Sequence, residues 1–186
     1  AGSRAALPVE HPDHARNWIE YWCTMKGAWL TDFMIAEFLP GKEYAWQGLY
    51  KDGKLITSVA RERIEYVFGH LMPSGQSSSP SVAKTVHNDV VNSTATSAIE
   101  ALEEPANGIY GVDMKEDELG CPCVTEINIG RFYTTSNFYA KAGANIPEPF
   151  VRAAYGEDLP GLPQTNAVMA GAYWIRGMDR EPELIL

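Results

Sequence analysis

Asn107-Gly108-Ile109-Tyr110-Gly111-Val112-Asp113-Met114 and Cys123-Val124-Thr125-Glu126-Ile127-Asn128-Ile129 are two alternating apolar runs on either side of an acidic turn, Glu116-Asp117-Glu118-Leu119-Gly120. Runs of this kind separated by a glycine-containing turn read as two strands of a hairpin. The midpoint between Asp113 and Glu126 falls between Leu119 and Gly120. A symmetric register therefore sets these two carboxylates opposite each other across the strands. Strand side chains alternate faces, so Asn128 points the same way as Glu126. Like charges placed directly opposite in a sheet repel, so this register calls for a compensating cation. Two carboxylates and an amide carbonyl are hard oxygen donors suited to Mg²⁺. In any other register the same acids are simply solvated, and the sequence leaves both readings open.

Working outward, Tyr44 to Tyr50 and Leu55 to Ala60 read as strands joined at Asp52-Gly53. The apolar run Phe33 to Leu39, cut by Pro40-Gly41, reads as a third. Pro12 with Ala15, Trp18, Trp22 and Met25 predicts an amphipathic helix that ends near Gly27. Val91, Ala95, Ala98 and Leu102 define a second helical face, capped by Asn88 or Asp89. Two short helices are expected around Thr135 to Ala142 and Glu148 to Tyr155, and Tyr173 to Arg176 reads as a last extended piece. Between the elements, Pro73 to Pro80 is a Ser/Gly/Pro loop of the kind that touches ligand or stays solvated. Hairpins followed by helices, without β-α-β alternation, predict an α+β fold with a mostly antiparallel sheet and flanking helices.

Composition narrows the function classes. With 186 residues and a formal net charge of −9, from 24 acidic and 15 basic side chains, the basic residues lie scattered in ones and twos. Nucleic-acid binding needs a basic stripe and is disfavoured. No apolar run is long enough to span a bilayer, so no membrane partner is expected. Cys23, Cys121 and Cys123 suggest a reduced, cytoplasmic setting, with the Cys121-Pro122-Cys123 pair read as strand or turn residues. His11 and His14 read as caps at a helix start, His70 and His87 flank the Ser-rich loop, and Trp18, Trp22 and Trp29 read as core or lobe-contact residues. Glu37 lies in the apolar stretch Met34 to Leu39 and is expected to need a partner. Arg61 and Arg63 lie on one strand, either as clamps for a phosphate or carboxylate or as plain surface cations.

Three ordered motifs, Glu37-Phe38-Leu39-Pro40-Gly41-Lys42-Glu43-Tyr44, Tyr110 to Asp113, and Thr125 to Asn128 followed by Arg131, resemble those of the ATP-grasp superfamily. The similarity is greatest to the branch of the carbamoyl-phosphate synthase large chain, and runs from Ala1 to about Pro160. It implies a C-terminal ATP-grasp lobe over residues 35–160, a remnant of the small lid subdomain over 1–34, and a C-terminal extension over 161–186. It further implies that Glu37 and the backbone of Phe38 and Leu39 hold adenine and that Glu43 holds ribose. Asp113, Glu126 and Asn128 match the magnesium ligands, and Arg131 an arginine beside the transferred phosphoryl group, although two residues rather than one separate it from Asn128. Ser3 falls in the end of the glycine-rich lid. The cofactors so implied are ATP and Mg²⁺, with Mn²⁺ as a substitute.

The chemistry implied is phosphorylation of a small carboxylate or bicarbonate to an acyl phosphate, which an amine or similar nucleophile then attacks. Such catalysis depends on positioning and charge neutralisation, so the lack of an obvious His or Ser nucleophile is no obstacle. The lysine-bearing strand upstream of the lid is not among these residues. The chain is therefore expected to be the C-terminal part of a larger ligase, inactive alone, with the missing domains supplied by the same or a partner chain and with homo-oligomers possible. The alternative is a non-catalytic nucleotide-binding or oligomerisation module.

Overall fold

Asp52 and Gly53 both adopt left-handed backbone, at φ 51° and 76°, which is what a two-residue hairpin loop needs to match the twist of its strands. They join β1 (Glu43–Lys51) to β2 (Lys54–Tyr66) in the computed structural model, which describes residues 6–77, 79–102 and 104–186. The remaining strands are β3 (Pro80–Thr85), β4 (Gly108–Glu116), β5 (Pro122–Ile129), β6 (Tyr173–Ile175) and β7 (Glu183–Ile185). Among the described residues they form one seven-stranded antiparallel sheet in the order β5-β4-β1-β2-β3-β6-β7. The helices are α1 (Pro12–Lys26), α2 (Asp89–Leu102), α3 (Ser136–Lys141) and α4 (Pro147–Ala154).

By its contacts the chain divides into two units, residues 6–38 with 66–80, and residues 39–65 with 81–186. In the first unit the Nδ1 of His11 accepts a hydrogen bond from the Asp13 amide at 3.2 Å, Pro12 opens α1, and Gly27 at φ 67° ends it. Trp18 stacks on Tyr21 and Trp22 meets both edge-on, with ring centroids 5.8–6.2 Å apart, yet no residue of α1 is buried. The third expected strand is absent: Phe33 to Leu39 is irregular, and Met34, Ile35 and Phe38 are exposed, as is Trp29. Apolar content alone suggested that strand, and no ladder stabilises it. The serine-rich loop is tied down, with the Ser77 hydroxyl donating to the Val67 carbonyl at 2.8 Å and the Val67 amide to the Ser79 carbonyl at 2.9 Å.

In the second unit the sheet has a core on each face. Tyr44, Trp46, Tyr50, Tyr110, Val112 and Met114 point to the face covered by α2, whose Val91, Ala95 and Ile99 fill the gap. Asn88 caps α2, its Oδ1 accepting from the amides of Val90 and Val91 at 3.0 and 3.1 Å. Ile99 takes the buried place expected of Ala98, while Leu102 is exposed. Leu49, Val59, Ala83 and Ile109 point to the opposite face, against Phe138 and Tyr139 of α3, Ile146 and Trp174. The tail is part of this packing: Trp174 stacks on Phe138 at 5.5 Å and pairs with Ala83. β3, between β2 and β6, and β7, at the sheet edge, are short strands that the sequence did not announce.

Gly48 is required by Trp46. A Cβ at position 48 would come within 2.1–2.9 Å of three ring atoms of that wholly buried indole. Gly48→Ala is expected to cost about 2 kcal/mol, read from urea denaturation. Unchanged stability would mean that the ring has room to move.

The Tyr50 hydroxyl is buried with no hydrogen-bond partner among the described residues, and its ring meets the Tyr110 ring edge-on at 5.5 Å. Burial, helped by the nearby Glu100 charge, pushes its phenol up to about 12. An unfolded tyrosine ionises near 10. Between those values the unfolded chain releases the proton first, so stability is fully present below pH ~10 and falls as pH rises, by up to about 1.4 kcal/mol per pH unit. Tyr50→Phe is expected to lose nothing at pH 8 and to flatten this decline, measured by urea denaturation at pH 8 and 11.

Candidate active site

The charged residues gather on the α3 face of the sheet through register alone. Across four strands, Arg61 pairs with Ala45, Ala45 with Asp113, and Asp113 with Glu126. In the adjacent row Val59 pairs with Gln47, Gln47 with Gly111, and Gly111 with Asn128. On the other side Arg63 pairs with Glu43. Asp113 pairs with Glu126 as expected, although the pairs nearer the turn, Met114 with Val124 to Glu116 with Pro122, are centred on Leu119. A bulge follows, in which Thr125 is skipped and its hydroxyl donates to the Asp113 carbonyl at 3.0 Å.

Arg63 holds two carboxylates at once. Its guanidinium donates to Glu43 Oε1 at 2.6 Å and to Asp113 Oδ1 at 2.7 Å, with all three side chains between 13% and 16% exposed. Asp113 Oδ1 also accepts from the Tyr133 hydroxyl at 2.8 Å. Burial, together with the adjacent Asp113 charge, raises the Tyr133 phenol well above its ordinary value, so it stays a neutral donor. The second oxygen of Asp113 has no hydrogen bond among the described residues, and the Glu126 carboxylate is exposed. Asn128 is buried, and its Oδ1 accepts from the exposed Arg131. Arg61 is only 2% exposed; its guanidinium hydrogen-bonds Thr135 and lies over the rings of Tyr133 and Tyr139 at 5.2 and 5.5 Å.

The approach to β1 is fixed as firmly. Glu116 at the end of β4 accepts from the Lys42 amide at 3.1 Å and from the Tyr44 hydroxyl at 2.8 Å, while its carbonyl accepts from the Gly41 amide at 3.0 Å. A Cβ on Gly41 would lie 2.5 Å from that of Glu116. Burial and the Glu116 hydrogen bond raise the Tyr44 phenol. Upstream, Glu37 and Phe38 are exposed and the chain passes from one unit to the other between Phe38 and Leu39. Glu37 does not face the desolvation that would have demanded a partner. Ser3 lies outside the described residues.

Thus Asp113, Glu126, Asn128, Glu43, Arg61, Arg63 and Arg131 all belong to one unit, whereas Glu37 and Phe38 belong to the other. Among the described residues no three His, Cys, Asp or Glu side chains come together, so a cation site here would depend on the amide of Asn128. Tyr133, Gly111 and Glu116 were missed in the sequence. Gly111 carried a signal, because a glycine inside a strand pattern marks a close approach.

The family described as the ATP-grasp in the biosynthetic pathway with the Ter operon matches residues 30–174. The chain belongs to this ATP-grasp family. No curated protein matches it. Among solved structures, this ATP-grasp chain is similar to biotin carboxylase from Campylobacter jejuni in complex with β,γ-ATP, at 14% identity and TM-score 0.62 over 94% of this chain and 39% of that one. It is likewise similar to the biotin carboxylase domain of a thermophilic 2-oxoglutarate carboxylase bound to bicarbonate, at 15% identity and TM-score 0.59 over 88% and 35%. Carboxyaminoimidazole ribonucleotide synthase from Aspergillus clavatus, complexed with ATP, follows at 13% identity and TM-score 0.52 over 75% and 35%. The chain therefore spans 35–39% of the length of these neighbours. At such identities the likeness establishes the ATP-grasp fold. No helix among the described residues is long and apolar enough to cross a membrane.

Proposed function

We propose that the protein carrying this chain is an ATP-dependent carboxylate ligase, which phosphorylates a small carboxylate or bicarbonate for attack by an amine or similar nucleophile. One observation carries the reading: in a chain of ATP-grasp family, the sheet register sets Asp113 against Glu126 with Asn128 on the same face. The donor set fits Mg²⁺, since Asp113 offers a free oxygen, Glu126 an exposed carboxylate, and the amide oxygen of Asn128 has a second lone pair beyond the one Arg131 uses. When bound, the ion would neutralise phosphate charge and hold the phosphates in place; Mn²⁺ would serve as a substitute.

In this reading Glu37 and the backbone of Phe38 and Leu39 hold adenine, Glu43 the ribose, and Ser3 closes with the lid. Arg131 stabilises the phosphoryl group in flight. Arg63, already bridging Glu43 and Asp113, fixes both carboxylates before nucleotide arrives. Arg61 acts on the acceptor or phosphate only by leaving its aromatic bed, so its first role is to hold the loop that follows β5. The residue spans 1–34, 35–160 and 161–186 serve as lid remnant, catalytic lobe and extension. Similarity to the carbamoyl-phosphate synthase branch favours bicarbonate or a small carboxylate as acceptor.

The test is calorimetric titration of ATP into the full polypeptide, with Mg²⁺ and with EDTA. Binding that needs the metal supports the reading, and binding indifferent to it overturns the metal assignment. The alternative, a nucleotide-binding or oligomerisation module without turnover, draws on one observation, that Asp113 and Asn128 already hold arginines. It differs in predicting nucleotide binding with no carboxylate-dependent ADP.

A further inference from the structure

Tyr133 belongs to the loop after β5, and nothing in its local sequence pattern marks it. Its hydroxyl nevertheless reaches across the sheet face to Asp113 Oδ1 at 2.8 Å, with the Trp46 carbonyl 3.2 Å away. The ring can reach only because residue 111 is glycine, since a Cβ there would lie 2.9 Å from the phenol carbon and 3.0 Å from the hydroxyl oxygen. The Arg61 guanidinium lies 5.2 Å from the ring centroid and hydrogen-bonds Thr135, two residues on. The phenol is packed against a strand glycine and a buried cation, and the shorter of its two hydrogen-bond contacts is to one carboxylate oxygen.

We propose that Tyr133 is a positioning residue for Asp113, and that Gly111 and Arg61 exist in this arrangement to place it. The inference rests on the reading of Asp113 as a magnesium ligand. Oδ1 is saturated by two donors, the guanidinium of Arg63 and the phenol of Tyr133, so the carboxylate cannot rotate and presents Oδ2 alone. A carboxylate fixed in this way binds a small cation through one oxygen, the mode that near-ideal octahedral Mg²⁺ or Mn²⁺ geometry favours. Without the phenol, Arg63 alone leaves the carboxylate free to turn about its own axis. Partners of this kind typically tune metal affinity by 10–100-fold.

The experiment measures Mn²⁺ binding by electron paramagnetic resonance in the presence of ATP, on the full polypeptide, for wild type, Tyr133→Phe and Gly111→Ala. Tyr133→Phe keeps the ring against Gly111 and Arg61, so its metal-free melting temperature is expected to stay within a degree or two of wild type. Its Mn²⁺ affinity is expected to fall about tenfold, while ATP affinity measured in EDTA is unchanged. Gly111→Ala, which adds no polar atom, should reproduce the metal defect by displacing the ring, and should add little when combined with Tyr133→Phe. Wild-type Mn²⁺ affinity in Tyr133→Phe overturns the positioning role and leaves the ligase reading standing. A metal-free melting temperature lowered in step with the affinity would assign the phenol a purely structural role and overturn it equally. If the wild type itself binds no Mn²⁺ with ATP, the metal reading fails and the inference falls with it.

Discussion

Glu126→Gln is expected to weaken binding of magnesium nucleotide to the full polypeptide by about 10–100-fold while leaving metal-free nucleotide binding and stability unchanged. Three features make this the largest functional effect. Glu126 is exposed, so its loss leaves no buried group uncompensated. It lies directly opposite Asp113, whose charge Arg63 already shares, and it is therefore the strongest uncommitted acidic donor of the trio. The amide is nearly the same size, so a change in affinity reports charge rather than packing. The check is paired calorimetric titrations with Mg²⁺ and with EDTA. Loss of binding in both would mean a damaged fold, and retention in both would remove Glu126 from the metal site.

Arg63→Met is expected to produce the largest loss of stability, about 3 kcal/mol. The guanidinium is the cation shared by Glu43 and Asp113, carboxylates on adjacent strands that are only 16% and 15% exposed. Breaking a buried pair costs more than the pair contributes, because the partner charges stay desolvated. Arg63→Lys should recover only part of the loss, since one ammonium cannot reproduce a planar fork spanning two acceptors. Adding Glu43→Gln to Arg63→Met should recover part of the loss, because one of the two carboxylates that Arg63 held is then uncharged. Urea denaturation of the four proteins decides the matter. Arg63→Met with wild-type stability would show that water already reaches both carboxylates.

The central hairpin was legible because its determinants are local, a period-two apolar pattern and a glycine-containing turn, but the bulge that brings Asp113 opposite Glu126 carried no sequence mark. Pairs nearer the turn are centred on Leu119, and skipping Thr125 shifts the register by the one residue that the Asp113–Glu126 pairing needs. The network around Asp113 was not legible. Arg63 and Tyr133 reach it from 50 and 20 residues away, and such contacts depend on strand order rather than on spacing. Gly111 was the one sequence mark of that network, visible as a glycine where a strand prefers a larger side chain. The reading of Phe33 to Leu39 as a strand failed for the opposite reason: its composition is apolar, but a strand needs a partner edge, and exposed Met34, Ile35 and Phe38 have none of the burial that composition promised. β3 went unseen because it opens on a proline and pairs with β6 some ninety residues away, and β7 because it has only three residues.

The most direct test of carboxylate phosphorylation is to follow oxygen. The full polypeptide is incubated with Mg-ATP, ¹⁸O-labelled bicarbonate or amino acids and an amine, and the released phosphate is read by ³¹P NMR. Attack of a carboxylate on the γ-phosphorus followed by displacement at the acyl carbon carries one acceptor oxygen into each phosphate. Phosphate bearing a single ¹⁸O, formed only when an acceptor is present, is the expected result, and phosphate carrying oxygen from water alone would contradict carboxylate phosphorylation.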